Sequence, residues 1–436
     1  MAARRPSPLS ASRGASGRAR RRALGLGQIA VALACVFALS LEWPTIRDFV
    51  LAIDHGEVFF ADFVNHYYPT VAESLRSGAP AGGFFYPAGF AALLSPLALF
   101  GPASAKIAWA VVQLACLAFA AIVLVREAAP ARPALAIVGT ALTMTSVPVL
   151  HNLKWGQVSL PILAATGGAF VLYARKRRPN AIAALLGVAA GIKGYPVVFV
   201  AWLVARRDAR LALRALGACA IALVVLPAIV MGPSHALFFQ RVSTGAVMGA
   251  SDGVLRDFNS QYAPAVIGRH LGGWDATPAD VRAYASLASM AAIVAIAALV
   301  ALVARSTATS IAAHRDALAF VLIACSIPFW LRTSWSHYFV HLPMAQILVT
   351  GMLAERGRWR DMAMIVLLVA PSVFLSNVAG LFATKGWWYY ANAGSLFAAN
   401  GLTLLALAGV VVDAHVSASL SNLLLSRKVR RATMRS

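Results

Sequence analysis

Charge is the scarcest thing in this chain. Only 12% of its 436 residues are Asp, Glu, Lys or Arg, where a soluble globular chain carries roughly 25%. That shortage excludes a soluble cytosolic enzyme and a disordered or fibrous chain. Cysteine is scarce too: Cys35, Cys116, Cys219 and Cys325 all fall inside apolar stretches, where they act as small hydrophobes. Neither a disulfide framework nor a metal-ligand spacing is present. There is no P-loop, no GxGxxG, no Asp-x-Asp pair and no internal repeat of the kind many transporters show.

What remains is apolar and basic. Hydrophobic residues make up 60% of the chain and the mean hydropathy is +0.73. Lys and Arg number 38 against 16 acids, a formal charge of +22. In a soluble chain such an excess would point to nucleic acid. In one this apolar it reports orientation in a bilayer, so the expected partner is lipid and not nucleic acid.

Apolar runs occur at about 24–43, 105–125, 134–150, 158–174, 211–231, 284–304, 316–331, 338–354, 361–383 and 395–413. Most approach the roughly 20 residues that cross a bilayer. The stretch 180–204 is broken at Lys193-Gly194-Tyr195-Pro196 and flanked by the basic clusters 175–178 and 206–210. Two short helices that go out and return, with Lys193 at the outer turn, satisfy both flanks. The reading is an all-α polytopic bundle of about twelve crossings with both termini inside. On this topology 27 basic residues are cytoplasmic and 10 external, with Lys106 between, whereas acids divide 6 inside and 10 outside. The positive-inside rule is met by a wide margin. Residues 86–101, apolar but short and interrupted by Pro96, read as re-entrant or interfacial. The domain plan is a basic cytoplasmic tail over 1–23, a membrane domain over 24–415 with outer loops at 44–104 and 232–283, and a second basic tail over 416–436. No signal-peptide cleavage site follows the first run, which therefore reads as an uncleaved anchor.

Ionisable groups that orientation does not require are functional candidates in a bilayer protein. Seven of the nine histidines fall in outer loops, and most of the Trp and Tyr residues near spans cluster on the same side. An aromatic belt would form at both faces; a site on the outer face accounts better for the skew. In the first outer loop, Phe63, Tyr67, Val71 and Leu75 recur at helical spacing, predicting an amphipathic helix on the membrane. Asp62 stands at its start, as an N-cap or as a catalytic base; Asp54 is its rival. Further polar islands are 151–157, 193–196, 257–262 and 332–341, each at the outer end of a run.

Taken in order, Asp62-Phe63-x-x-x-Tyr67-Tyr68, Phe85-Tyr86-Pro87, Trp155-Gly156-Gln157, Lys193-x-x-Pro196, Asn259-Ser260-Gln261 and Trp335-x-His337 resemble glycosyltransferase family 87. That family comprises GT-C membrane enzymes that use polyprenyl-phosphate sugars, among them mannosyltransferases. The resemblance runs from about 40 to 415. One departure is the order Asn-Ser-Gln, where members often show Asn-Gln-Ser.

The resemblance implies a GT-C-like fold and transfer of a sugar, mannose by family, from a polyprenyl-phosphate donor to an acceptor hydroxyl. The acceptor would be a glycolipid or envelope glycan, and the site would face the periplasm or exterior of the cytoplasmic membrane. Asp62 takes the matching position of the general base, with inversion. Lys193, Arg332, His337 and His341 are the supply for donor phosphate. Asn65, His66, Tyr67, Tyr68, Trp155, Gln157, Tyr195, Asn259, Gln261 and Trp335 are candidate contacts for sugar or acceptor. No metal or other cofactor is expected. The alternative class is a flippase or transporter of lipid-linked sugar, which predicts ionisable groups near the bilayer midplane.

Overall fold

Without water to bind exposed amides, a chain this apolar must satisfy its backbone internally, and helices do so within each segment. A computed structural model describes residues 60–129, 132–306, 308–378 and 387–433. The N-terminal tail, the first apolar run, Asp54 and Glu57 lie outside the described residues. Among those described the structure is helical, with no strand beyond an isolated bridge between Ser260 and Trp335.

A wide turn over Phe63–Tyr67 leads into α1 (Tyr68–Ser77), followed by α2 (Ala88–Leu99) and α3 (Pro102–Ala128). Next come α4 (Pro133–Thr145), α5 (Val147–Trp155), α6 (Ser159–Ala174), α7 (Pro179–Ile192), α8 (Tyr195–Ala205) and α9 (Ala209–Met231). The second outer loop holds α10 (Pro233–Arg256) and α11 (Ala263–His270). The chain ends with α12 (Ala279–Arg305), α13 (Arg315–Trp330), α14 (Leu342–Arg356), α15 (Trp359–Asn377) and α16 (Ser395–Thr433). Among the described residues, five helices are long and apolar enough to cross a bilayer, or six if α4 and α5, bent by 42° at Ser146, count as one. This is a multi-pass all-α membrane protein. Other apolar runs fold as shorter helices, such as α7 with 14 residues, about 21 Å long.

The chain breaks at Lys193 as its sequence predicts. Lys193 is extended (φ −153°, ψ 132°), and Pro196 opens the first turn of α8. Residues 86–101 contain α2, whose first half is buried among protein side chains. The apolar stripe of the first outer loop departs from expectation. Phe63, Tyr67 and Val71 are fully buried, clustered with Phe90 of α2 and Trp109 of α3. The stripe therefore faces protein and not lipid, and it locks residue 62 against the bundle. The side chain of Leu75 lies outside the described residues.

Paired charges mark one end of the bundle. Glu127 meets Arg175, Arg206 meets Asp316, His314 meets Glu355, and Asp413 collects Arg356 and Arg358. Arg358 also grips the buried Asp361, and Asp208 caps α9 by accepting from the Leu211 amide. These are the six acids assigned to the basic side. These pairs lie at or near the C-terminal ends of α3, α6, α12 and α14 and the N-terminal ends of α9, α13 and α15. The opposite ends of α6, α7, α13 and α14 converge on one cavity.

Candidate functional site

The cavity has a volume of about 540 Å³ and is lined by residues brought together from widely separated parts of the chain. Asp62 and His66 come from the first outer loop, Tyr86 from the turn before α2, and His151, Trp155 and Gln157 from the end of α5. Lys193 and Tyr195 come from the α7–α8 break. Trp335, His337 and Tyr338 follow α13, and Asn259 follows α10.

Close backbone docking sets the position of Asp62. The Phe60 amide donates to Lys154 O at 3.0 Å. Gly156 takes a left-handed conformation (φ +67°) that ends α5, and a Cβ there would lie 3.0 Å from the Phe60 Cβ. Glycine alone therefore suits this contact, both for its φ and for the approach. Trp109 donates its indole N–H to Gly156 O at 2.9 Å and stacks on Phe63 with ring centroids 5.7 Å apart. The two strips 60–63 and 154–157 are thereby pinned side by side.

Asp62 does not act as a cap. It is already helical (φ −67°, ψ −35°), with no capping bond from its side chain. Its Oδ2 instead accepts from Gln157 Nε2. Burial raises the carboxyl pKa to about 6, opposed by the positive influence of His66 and Lys193. The group is thus ionised at neutral pH and still basic enough to take a proton.

Lys193 holds its ammonium 4.8 Å from the Tyr86 ring centroid and 4.4 Å from that of Tyr338. Such cation–π contacts are worth about 0.5–2 kcal/mol. His337 is buried, with both ring nitrogens unpartnered among the described residues. It stacks on His151 (5.6 Å between centroids) and on Tyr338 (5.0 Å). Burial first, then Lys193 and His151, push its pKa well below the ordinary histidine value, so the ring is neutral and offers one N–H and one lone pair. Buried polar atoms are rarely left unmatched, and two on one cavity-lining ring make it a place for a polar ligand group.

The loop after α10 is stitched to the one after α13. Gln261 N donates to Ser334 O at 2.6 Å, and Ser336 Oγ donates to Asn259 Oδ1 at 2.6 Å. Arg269 binds three carbonyl oxygens, of Asp257, Ser260 and Asn392. These bonds carry Trp335 and His337 to the cavity beside Asn259.

Of the residues singled out in the sequence, Asp62, His66, Trp155, Gln157, Lys193, Tyr195, Asn259, Trp335 and His337 line the cavity. The others sit elsewhere. Tyr67 is fully buried beneath it, with its hydroxyl 2.6 Å from that of Tyr86. Asn65 and Arg332 are exposed away from the lining, and Tyr68 donates to Phe100 O. Gln261 is spent on the backbone of Ala391 and Phe397. His341 is paired with Asn400 at 3.1 Å inside the bundle.

Sequence reasoning assigned no role to the α10 wall. Gln240, Ser243, Thr244, Val247, Ala250 and Val254 face the cavity, and their three- and four-residue spacing is one helix stripe. That spacing was legible, but nothing in it marks which side of the helix meets the site. Gln240 also accepts from the Ala88 amide at 3.0 Å, and Ser243 donates to Tyr86 O.

A family model described as glycosyltransferase family 87 matches residues 84–334, more than half of the chain. The match takes in Tyr86, His151, Gln157, Lys193 and Asn259 and stops short of Asp62 on one side and His337 on the other. No curated protein and no solved structure matches the chain.

Proposed function

The chain belongs to glycosyltransferase family 87, and we propose that it moves a single sugar, mannose, from a polyprenyl-phosphate carrier to an acceptor hydroxyl. The observation that carries this reading is a half-buried carboxylate, its pKa raised to about 6, sharing one cavity with a lysine held between two tyrosine rings and a histidine with unpartnered nitrogens. An acid poised near neutrality suits a general base. A nearby cation and a neutral N–H donor suit a leaving phosphate.

In this mechanism Asp62 takes the proton of the acceptor hydroxyl as that oxygen attacks the anomeric carbon. The bond from that carbon to the phosphate oxygen breaks on the opposite face, and the electron pair leaves with the polyprenyl phosphate. One displacement inverts the anomeric centre. Lys193 and His337 receive the developing charge on phosphate. His66, Trp155, Tyr195, Asn259 and Trp335 contact sugar or acceptor. The cavity lies at the helix ends opposite the basic side, which supports an active site on the outer face with both tails in the cytoplasm. The domain plan over 1–23, 24–415 and 416–436 belongs to the same proposal.

The test is transfer by purified protein from polyprenyl-phosphate mannose into a glycolipid extract. Wild type is expected to turn over without any ion gradient, and Asp62→Asn to lose turnover. Near-wild-type transfer by Asp62→Asn would overturn the base assignment.

A further inference from the structure

The sequence alone casts Gln157 as a contact for sugar, yet its amide is committed at both ends. Oε1 accepts from the Tyr86 hydroxyl at 2.9 Å, with the Tyr67 hydroxyl oxygen 3.3 Å away. Nε2 donates to Asp62 Oδ2. The two hydroxyls are themselves 2.6 Å apart. An ionised carboxylate only accepts, so it must face the NH₂ end. Both phenols are pushed well above their ordinary pKa, by burial first, so each keeps its one hydrogen: Tyr67 gives its hydrogen to the Tyr86 oxygen and Tyr86 gives its own to Gln157 Oε1. The amide has one polarity open to it.

Its backbone is held as firmly. Gln157 N donates to Asn152 O at 2.9 Å, and its carbonyl accepts from Gln113 Nε2 at 2.6 Å. Asn152 in turn donates to Gln113 Oε1 at 2.9 Å, and its own Oδ1 caps α6 by accepting from the Ser159 and Leu160 amides. Gln113 and Asn152 are fully buried. Three helices thus converge on holding one side-chain amide against one carboxylate.

We propose that Gln157 is a positioning residue for Asp62: a donor chain running from Tyr67 through Tyr86 to Gln157 delivers an N–H to Oδ2, favours the ionised carboxylate and leaves Oδ1 as the oxygen that takes a proton. Hydrogen bonds aligned in one direction polarise one another, so Tyr67 contributes from outside the cavity lining. The catalytic meaning of this chain rests on the Asp62 base reading; the chain itself does not. The charged and titratable groups facing Asp62 are His66 one turn along, Lys193 from the α7–α8 break, and Tyr67 and Tyr86. Of these, only the tyrosines belong to the hydrogen-bond chain through Gln157.

The experiment titrates Asp62 in the full-length protein in lipid nanodiscs, with no substrate. The infrared carboxyl stretch of protonated Asp62 is identified by its loss in Asp62→Asn. Wild type is expected to titrate near pH 6. Gln157→Leu removes the donor and should move the midpoint up by about one pH unit. Tyr67→Phe, a conservative change outside the cavity, should raise it by about half a unit, and it decides the matter if the leucine variant does not fold. Mere loosening has the opposite sign, because admitted water relieves the burial that raises the midpoint. An unchanged or lowered midpoint in the folded variants overturns the proposal. Normal turnover by Asp62→Asn would instead sink the base reading and leave the titration result standing.

Discussion

At the scale of single residues, the site depends on groups placed where their usual chemistry is altered. Asp62 stays basic because burial outweighs His66 and Lys193. The pH profile of kcat/KM should therefore rise through a midpoint near 6, and Asp62→Asn should lower kcat by about 10²–10⁴-fold. The same substitution has a stability consequence. A carboxyl whose pKa is higher folded than unfolded costs stability above the folded value, and the cost disappears below about pH 4. Asp62→Asn should raise the melting temperature at pH 8, corresponding to about 1–3 kcal/mol, and leave it unchanged at pH 4. His337 presents the converse case, a ring kept neutral with no described residue bonded to its nitrogens. His337→Ala should raise the apparent Kd for polyprenyl-phosphate mannose by about tenfold or more; unchanged donor binding would remove it from the phosphate site. These side chains stood out in the sequence because they are polar at the ends of apolar runs. Which of them meet was not legible there: Arg332 and His341 belong to the same island as His337, yet one faces outward and the other bonds Asn400. A few residues separate these fates, and no local pattern records it.

At the scale of elements, short helices and small residues shape the site. The α7–α8 break was readable from Lys193-Gly194-Tyr195-Pro196 between two basic clusters, since proline and extended backbone end helices and charge sets direction. How α7 packs was not readable. A Cβ on Gly187 would come within 2.7 Å of the Ala218 carbonyl oxygen of α9, so the helices approach at backbone distance. Gly187→Leu should destabilise the protein by about 1–3 kcal/mol. Gly217→Ala, in the same pair of helices but facing open space, should be neutral or stabilising by about 0.5–1 kcal/mol. Thermal unfolding in detergent compares the two. The first outer loop teaches the same lesson. Its apolar stripe predicts a helix lying on the membrane, whereas protein covers it. Trp109, Phe90 and Tyr86 cover it, and that choice is what turns Asp62 to the cavity.

At the scale of the molecule, charge and chemistry occupy opposite ends of the same helices. Cysteine placed at Thr244 on the cavity wall should react with a membrane-impermeant maleimide in intact cells. Cysteine at Arg177 on the basic side should react only after permeabilisation; the reverse pattern would invert the orientation. The paired charges also hold the bundle together. Arg358→Ala would leave the Asp361 carboxylate without its guanidinium partner and should lower the melting temperature. By itself the sequence determined that the chain is a helical, multi-pass membrane protein. Hydropathy and charge count are sums over local segments, and the bilayer reads them segment by segment. Only the tertiary structure decided that Asp62, Gln157, Lys193 and His337 share one cavity, that Gln157 turns to Asp62, and that α10 walls the site. Those outcomes depend on which apolar faces pack together, and many pairings satisfy the same apolar pattern until side-chain volume and buried hydrogen bonds select one.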